Sequence, residues 1–413
     1  METQKRIQIN HFQMRTLIWS VLFVTFTIVP SWSQPSVSET VIAAEIESEE
    51  ARFRIVQVVE NLEHPWAVGW LPDGRMMVNE RPGRMYLIDG NNIQKLDNLP
   101  PIHSQEDQLT APEGGSQAGL LDLAVHPDYE NNGWIYFTYS SPGDPDGVDD
   151  SIATGTALAR ARLNNNSTDL TDLSVLYTMI PRTEPGRHYG SRIIFPGDGT
   201  VIFSIGDRGI RTPSQDLTHP AGSLIRLGEN GGVPVDNPFV GIVPGNLRPE
   251  IYSFGHRNNQ GIAINPDNGE IWATDHGPYG GDLLYRIEKA GNYGWPQVSH
   301  GKEYGTGEHI GLGTEAPGVI PPVYVWKESM APSGLTFYNG EEFPQWQGNL
   351  FAGSLLKEEV YRLVIENGAV TYKETLISEK IGRIRDVRQG PDGYIYLATD
   401  EGNGGIYRLE PLN

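Results

Sequence analysis

Six times along the chain, a short apolar segment leads into a polar turn and then into a second apolar segment. In the first copy, Pro72-Asp73-Gly74 separates an apolar segment at 68–71 from another that begins at Met76. The residues that mark the six turns are Asp73, Asp128, Asp198, Asp267, Asn339 and Asp392. They recur at intervals of roughly 64 residues, and Asp, Asn and Gly favour tight turns. The pattern predicts six β-hairpins.

The hairpins predict an all-β fold. The segments after the turns are rich in β-branched and aromatic residues and are almost continuously apolar, which is typical of strands buried between stacked sheets. We therefore predict a six-bladed β-propeller of four-stranded antiparallel sheets, forming a single domain over residues 53–413. Residues 53–58 would close the ring by pairing near residues 406–409. A pair of β-sandwiches or a solenoid is the alternative, but a solenoid needs shorter and more regular units.

The first 33 residues have the pattern of a secretory signal peptide. Lys5, Arg6 and Arg15 precede an apolar run at 16–29, and Ser31-Trp32-Ser33 resembles a cleavage site. An uncleaved membrane anchor is the alternative, but the run is shorter than the roughly 20 residues that a membrane span needs. We expect a signal peptide over 1–33, a flexible lead-in over 34–52, and a periplasmic or secreted protein with no membrane segment after cleavage.

Composition removes several function classes. The chain has 31 Lys and Arg against 52 Asp and Glu, and the formal net charge of −21 argues against nucleic-acid binding. There is no cysteine, which excludes a disulfide, a thiolate metal site and a thiol nucleophile.

Two polar loops contain candidate catalytic or binding residues. Gln117 lies in a Gly-rich loop over 114–122, where it either binds a ligand or caps a turn. His188 lies in the basic loop 186–192, and a neutral imidazole there could act as a general base. A hydrogen-bonded structural histidine is the alternative interpretation.

Two further segments have the chemistry of ion binding. The carbonyl groups of the Gly277-Pro278 turn, with the carboxylate of Asp275 beside them, suit a hard cation such as Ca²⁺. Arg383 and Arg385 lie two residues apart, so on a strand they face the same way and could clamp a carboxylate or a phosphate.

Together these segments resemble the glucose/sorbosone dehydrogenase family of soluble quinoproteins, which use pyrroloquinoline quinone (PQQ), and within it the soluble aldose sugar dehydrogenases. The resemblance extends over residues 53–411. The motifs that support it are Asn61-Leu62-Glu63-His64-Pro65-Trp66, Glu80-Arg81-Pro82-Gly83-Arg84, Gln117-Ala118-Gly119-Leu120-Leu121-Asp122, Gly206-Asp207-Arg208-Gly209, Gly255-His256-Arg257-Asn258, His276-Gly277-Pro278, Asn292-Tyr293-Gly294-Trp295-Pro296 and Arg383-Ile384-Arg385-Asp386-Val387-Arg388.

The resemblance implies a six-bladed propeller and an oxidoreductase that converts the C1 hydroxyl of an aldose sugar to a lactone, with hydride transfer to PQQ. It implies that His188 is the catalytic base. The other residues it implies are Gln117, Arg257 and Asn258 at the quinone and substrate, Gly277 and Pro278 at Ca²⁺, Lys357, Arg383 and Arg385 as cationic contacts to the cofactor, and Trp326 as a pocket aromatic. An external electron acceptor, a quinone or a cytochrome, would reoxidise the cofactor.

The sequence also departs from the family pattern. Asp275, the candidate carboxylate ligand, stands where a Glu is usual, and Arg187 stands where the glucose-oxidising branch has an acidic residue. These departures leave the preferred sugar open. A propeller that only binds a ligand, and a propeller lactonase with a metal on its axis, are the alternative functions.

Overall fold

The computed structural model describes residues 34–104, 116–143, 153–164, 166–184, 186–242 and 246–412. The predicted signal peptide and Gly114-Gly115 lie outside the described residues. The described strands are β1 Ser36–Glu47, β2 Arg52–Leu62, β3 Pro65–Trp70, β4 Met76–Glu80, β5 Arg84–Asp89, β6 Asn92–Leu96, β7 Leu120–Val125, β8 Ile135–Ser141, β9 Gly155–Leu163, β10 Leu170–Thr178, β11 Ile193–Ile194, β12 Thr200–Ile205, β13 Ser223–Gly228, β14 Ile251–Phe254, β15 Gly261–Ile264, β16 Ile271–Asp275, β17 Asp282–Ile287, β18 Tyr324–Trp326, β19 Pro332–Phe337, β20 Leu350–Ser354, β21 Glu359–Glu366, β22 Ala369–Ser378, β23 Ile384–Gln389, β24 Ile395–Thr399 and β25 Gly404–Pro411. One short α-helix, α1 Tyr129–Asn132, and two 3-10 turns, Thr212–Gln215 and Pro344–Trp346, accompany them. No helix among the described residues has the length and apolar character that crossing a membrane requires.

The strands form six antiparallel sheets, the blades of a β-propeller. Blades 1 to 5 are β3–β6, β7–β10, β11–β14, β15–β18 and β19–β22, and blade 6 combines β23, β24 and β25 with β2 and β1. Each hairpin predicted from the sequence forms the first two strands of a blade, as the pairing of Val68 with Val78 shows in blade 1. The first strands pack against one another in chain order, and β23 packs against β3, so the six blades form a closed ring.

The ring closes through the predicted seam. Ile55 of β2 pairs with Leu409 of β25, and Val56 pairs with Arg408. Blade 6 differs from the prediction because β1 adds a fifth strand, with Val41 opposite Val56, where we expected a flexible lead-in. No β1 side chain is fully buried, and its apolar residues do not alternate regularly with polar ones, so the hydrophobic pattern did not mark it as a core strand, although pairing with β1 covers the open backbone edge of β2.

The core lies between adjacent blades. Between blades 5 and 6, Phe343 stacks on Trp346 with ring centroids 4.1 Å apart, and Phe53 of β2 meets the Trp346 ring edge-on at 5.7 Å. Because both faces of a blade pack against neighbours, its strands are apolar on both faces, which explains the continuous apolar segments in the sequence.

A buried ionic cluster crosses the axis of the ring. The guanidinium group of Arg192 lies 3.0 Å from the Asp122 carboxylate and 2.8 Å from the Asp386 carboxylate, and Arg388 pairs with both of these carboxylates. Arg192, Asp122 and Asp386 come from three different blades and are almost completely buried. The cluster therefore ties the innermost segments of the ring together.

Candidate active site

The antiparallel order of each blade places the predicted site residues at one end of the ring. Loops that join one blade to the next, and loops that join the second and third strands of a blade, lie at the same end. Gln117, His188 and Arg257 are in loops of the first kind, and Gly277 and Lys357 are in loops of the second kind. The Pro-Asp-Gly turns, which join first and second strands, lie at the opposite end.

His188 lies on a tightly constrained loop before β11. Its backbone is left-handed, with φ of 55°, and its N–H donates to the Gln117 side-chain oxygen at 2.7 Å. A Cβ atom at Gly206 would lie 2.2 Å from the His188 carbonyl oxygen, so only glycine fits there. These contacts fix where the imidazole ring points.

The carboxylate of Asp207 orients this imidazole. His188 Nδ1 and Asp207 Oδ1 are 2.6 Å apart, and both side chains are buried. The indole N–H of Trp295 donates to the other Asp207 oxygen at 2.7 Å, which leaves Oδ1 to accept from His188. With the proton on Nδ1, Nε2 keeps its lone pair. Asp207 belongs to the Gly206-Asp207-Arg208-Gly209 motif, which by itself predicts no catalytic role; the available signal was its position two residues after β12, in the blade that follows the His188 loop.

Electrostatics keep His188 neutral and Asp207 charged. Burial, helped by the nearby charge of Arg257, lowers the pKa of His188 to about 4. Burial alone would raise the pKa of Asp207, but its contact with His188 holds that pKa below the usual value. At neutral pH the pair is therefore a neutral imidazole, with its one proton on Nδ1, beside an ionised carboxylate.

Arg257 and Asn258 join this pair to the next blade. The Arg257 carbonyl oxygen accepts from the Asp207 backbone N–H at 2.7 Å, and its guanidinium group donates to the His276 carbonyl oxygen at 3.2 Å. The Asn258 side-chain oxygen accepts from the Gly190 N–H at 3.0 Å. Both residues are buried, so this end of the ring is a connected polar network.

The carboxylate of Asp275 hydrogen-bonds to the backbone of the Arg257 loop. Its two carboxylate oxygens accept the backbone N–H groups of Arg257 and Asn258, at 2.9 and 2.6 Å. Burial raises its pKa to about 7, although these hydrogen bonds oppose the rise. The carboxylate thus holds the Arg257–Asn258 segment, and its place as a metal ligand stays a prediction.

A second carboxylate, that of Asp282, holds the Gly277-Pro278 turn. Asp282 accepts from the Gly277 N–H at 2.7 Å and, through its other oxygen, from the N–H groups of Met330 and Ala331. A Cβ atom at Gly277 would lie 2.3 Å from the Gly280 carbonyl oxygen, so the turn requires glycine. No group of three or more His, Asp or Glu side chains that could hold a metal ion occurs in the described part of the chain.

The two predicted clamp arginines contact the same carboxylate. Arg385 is buried and forms an ion pair with Asp400, while Arg383 is about half exposed and lies 3.8 Å from Asp400. Arg385 also donates to the Gln260 side-chain oxygen at 2.6 Å. A small cavity lined by Arg385, Gln260 and Gln117 brings the clamp next to the His188 loop.

Lys357 and Trp326 lie farther from His188. Lys357 is partly exposed, pairs with Glu328 at 3.2 Å, and lines a cavity of about 500 Å³ beside the Gly277-Pro278 turn. Trp326 is on the outermost strand of blade 4, where it packs against Tyr324 and Tyr361 in the core between blades 4 and 5. It also lines a neighbouring cavity of about 320 Å³ with Lys357.

Comparison with known proteins identifies the family. The sequence profile of the family described as Glucose / Sorbosone dehydrogenase matches residues 62–408. The chain belongs to this family. An aldose sugar dehydrogenase of Escherichia coli is 36% identical over 368 residues, covering 88% of this chain and 94% of the relative. A quinoprotein glucose dehydrogenase of Acinetobacter calcoaceticus is 26% identical over 420 residues, covering 83% of this chain and 84% of the relative.

A solved structure of a family member has the same fold. The crystal structure of the soluble aldose sugar dehydrogenase from Escherichia coli in the apo-form superposes with a TM-score of 0.80 at 36% identity. The match covers 87% of this chain and all of the other. The six-bladed propeller is thus common to both proteins.

Proposed function

We propose that this protein is a PQQ- and Ca²⁺-dependent aldose sugar dehydrogenase that oxidises the C1 hydroxyl group to a lactone. The observation on which the proposal rests is the buried His188–Asp207 pair, held neutral and charged respectively, beside Arg257 and the Gly277-Pro278 turn. The names of the relatives, an aldose sugar dehydrogenase and a quinoprotein glucose dehydrogenase, support the same chemistry.

The residues present fit a carboxylate-bearing quinone. Nε of Arg385 is buried without a hydrogen-bond partner among the described residues. The guanidinium group of Arg383 and the ammonium group of Lys357 both reach solvent. These three cations would hold the carboxylates, and the carbonyls of Gly277 and Pro278 would hold Ca²⁺. Bound PQQ supplies a two-electron acceptor, and bound Ca²⁺ supplies a Lewis acid.

The protein's own part in the reaction is to remove a proton. Nε2 of His188 accepts the proton of the C1 hydroxyl group, while C1 loses its hydrogen with the electron pair and the C1–O bond becomes the carbonyl of the lactone. Asp207 stays ionised and stabilises the imidazolium that forms. Arg257 stabilises the negative charge that develops on the C1 oxygen.

The route of the electrons and the location of the protein are part of the same proposal. An external acceptor, a quinone or a cytochrome, would reoxidise the cofactor, and the protein would act in the periplasm or outside the cell. The net charge of −21 would favour a basic partner by electrostatic steering.

Reconstitution tests the proposal. The purified chain is loaded with PQQ and Ca²⁺, and dye-linked oxidation of a panel of aldoses is measured together with PQQ absorbance and Tm. We expect saturable PQQ binding, a Tm that rises with cofactor concentration, and lactone formation. If PQQ neither binds nor supports sugar oxidation, the proposal is wrong, and a propeller that only binds a ligand becomes the better interpretation.

A further inference from the structure

The cavity of about 500 Å³ beside the Gly277-Pro278 turn has features that the proposed reaction does not use. It adjoins that turn because the Gly280 N–H donates to the Ser329 hydroxyl at 2.7 Å and Tyr279 pairs with Lys302 through both backbone groups. Neither His188 nor Arg257 lines it. The reacting C1 group therefore lies outside this cavity.

The charge of this cavity is opposite to that of the chain as a whole. Its lining includes Lys302, Lys327 and Lys357 but only one carboxylate, Glu328, and that carboxylate pairs with Lys357. Lys302 and Lys327 are exposed, and neither side chain has a hydrogen bond or an ion pair with another described residue. Two unpaired cations at one cavity, in a protein with net charge −21, form a local site for an anion.

A buried polar atom points to a ligand in the same place. Nε2 of His300, which lines the cavity, is buried and has no hydrogen-bond partner among the described residues. Burial lowers the pKa of His300, so the ring is neutral at pH 7. A buried polar atom without a hydrogen-bond partner raises the free energy of the folded protein, and a ligand that bonds to it would remove this penalty.

Two tyrosines provide an apolar surface at the rim. Tyr279 lines the cavity and is 64% exposed, and the neighbouring Tyr304 is 59% exposed. The centroids of the two rings are 6.2 Å apart, and the rings meet edge to face. Exposed aromatic rings beside a cavity commonly mark a binding site. The flat face of a sugar ring, which carries C–H groups, fits against such rings.

We infer that this cavity is a subsite for the anionic group of an acidic sugar, with the sugar ring against Tyr279 and the negative charge at Lys302 and Lys327. The inference rests on the proposed function and narrows its substrate class to aldoses that carry a carboxylate or a phosphate away from C1. These lysines are distinct from the cations assigned above to PQQ.

Matched sugars test the inference. Glucose, glucuronic acid and glucose 6-phosphate share the C1 hydroxyl group and differ at C6. A second set, cellobiose and its glucuronosyl analogue, places the acidic group one sugar ring farther from the reacting C1. For the PQQ- and Ca²⁺-loaded protein, we expect kcat/KM of the acidic member to exceed that of the neutral member by on the order of tenfold in at least one set. The relative rates of carboxylate and phosphate identify the anion, and added salt should remove the advantage. Equal kcat/KM in every set overturns the inference.

The double variant Lys302→Ala/Lys327→Ala separates substrate from cofactor. We expect it to lose the preference for acidic sugars while kcat/KM for glucose and the Kd of PQQ stay unchanged. Lys95→Ala, an exposed lysine on β6 of blade 1, is the matched control and should change nothing. A weaker PQQ affinity in the double variant would place these lysines at the cofactor and contradict the inference.

A binding measurement keeps this inference independent of the proposed function. If no sugar is oxidised, the proposed function fails, and saturation-transfer NMR on the same protein then compares glucuronic acid with glucose. Stronger binding of glucuronic acid that is lost in the double variant supports the subsite; equal or absent binding overturns it.

Discussion

At the scale of single residues, the reactivity of His188 is produced by groups that are distant in the chain. Gln117 fixes its backbone, Asp207 accepts from its Nδ1, and Arg257 adds to the effect of burial on its pKa. Each of these residues lies in a different interblade loop or follows a different strand. The base is therefore set in place by the ring rather than by its own segment.

Replacing His188 with Asn tests this arrangement. The Asn amide can still donate to Asp207, and Asn tolerates positive φ, but the group at the Nε2 position is lost. We expect turnover to fall by about 10²- to 10⁴-fold, while Tm and PQQ binding change little. Steady-state kinetics, thermal melting and PQQ titration measure the three quantities.

The pH profile of the wild type is the control for this variant. Because the folded-state pKa of His188 is about 4, its imidazole is unprotonated above that pH and becomes protonated below it. Activity of the wild type should therefore fall as the pH drops through about 4, and the residual activity of the variant should lack this limb. A variant that keeps most of its turnover would show that His188 is not the base.

At the scale of elements, β1 and β25 make different contributions to blade 6. β25 joins β24 to β2 and so closes the ring, whereas β1 pairs only with β2 at the outer edge of the blade, far from the axis.

A chain that starts at residue 48 should fold and keep its kcat, with a Tm lower by a few degrees, because β1 buries few side chains. Removal of residues 404–413 is the contrasting deletion: it should prevent folding, as judged by circular dichroism and size-exclusion chromatography. Equal loss of structure in the two deletions would contradict this assignment.

At the scale of the whole molecule, the buried ions on the axis hold the blades together. Asp122→Asn keeps the shape of the side chain but removes one of the two carboxylates that face Arg192 and Arg388. We expect the free energy of unfolding to fall by about 3–5 kcal/mol, because an uncompensated charge remains buried. Glu45→Gln, at a surface pair with Arg52, should cost less than about 1 kcal/mol. Urea denaturation of both variants checks this; similar losses would show that the axial pair adds no more than a surface pair.

The six-bladed architecture can be predicted from the amino-acid sequence. The six hairpins, the seam between residues 53–58 and 406–409, and the family all follow from local signals: turn residues, apolar strands and motifs that are each continuous in the chain. Such signals are readable because a turn or a buried strand is specified by neighbouring residues. The candidate residues around His188 were also named from such motifs.

Which side chains come into contact at the site depends on the folded ring. Asp207 pairs with His188, the Asp275 carboxylate accepts from two backbone amides, Asp282 holds the Gly277 turn, and β1 joins blade 6. These contacts join segments from different loops, strands or blades. The packing of the closed ring sets their distances, and no periodicity within a single segment encodes that packing.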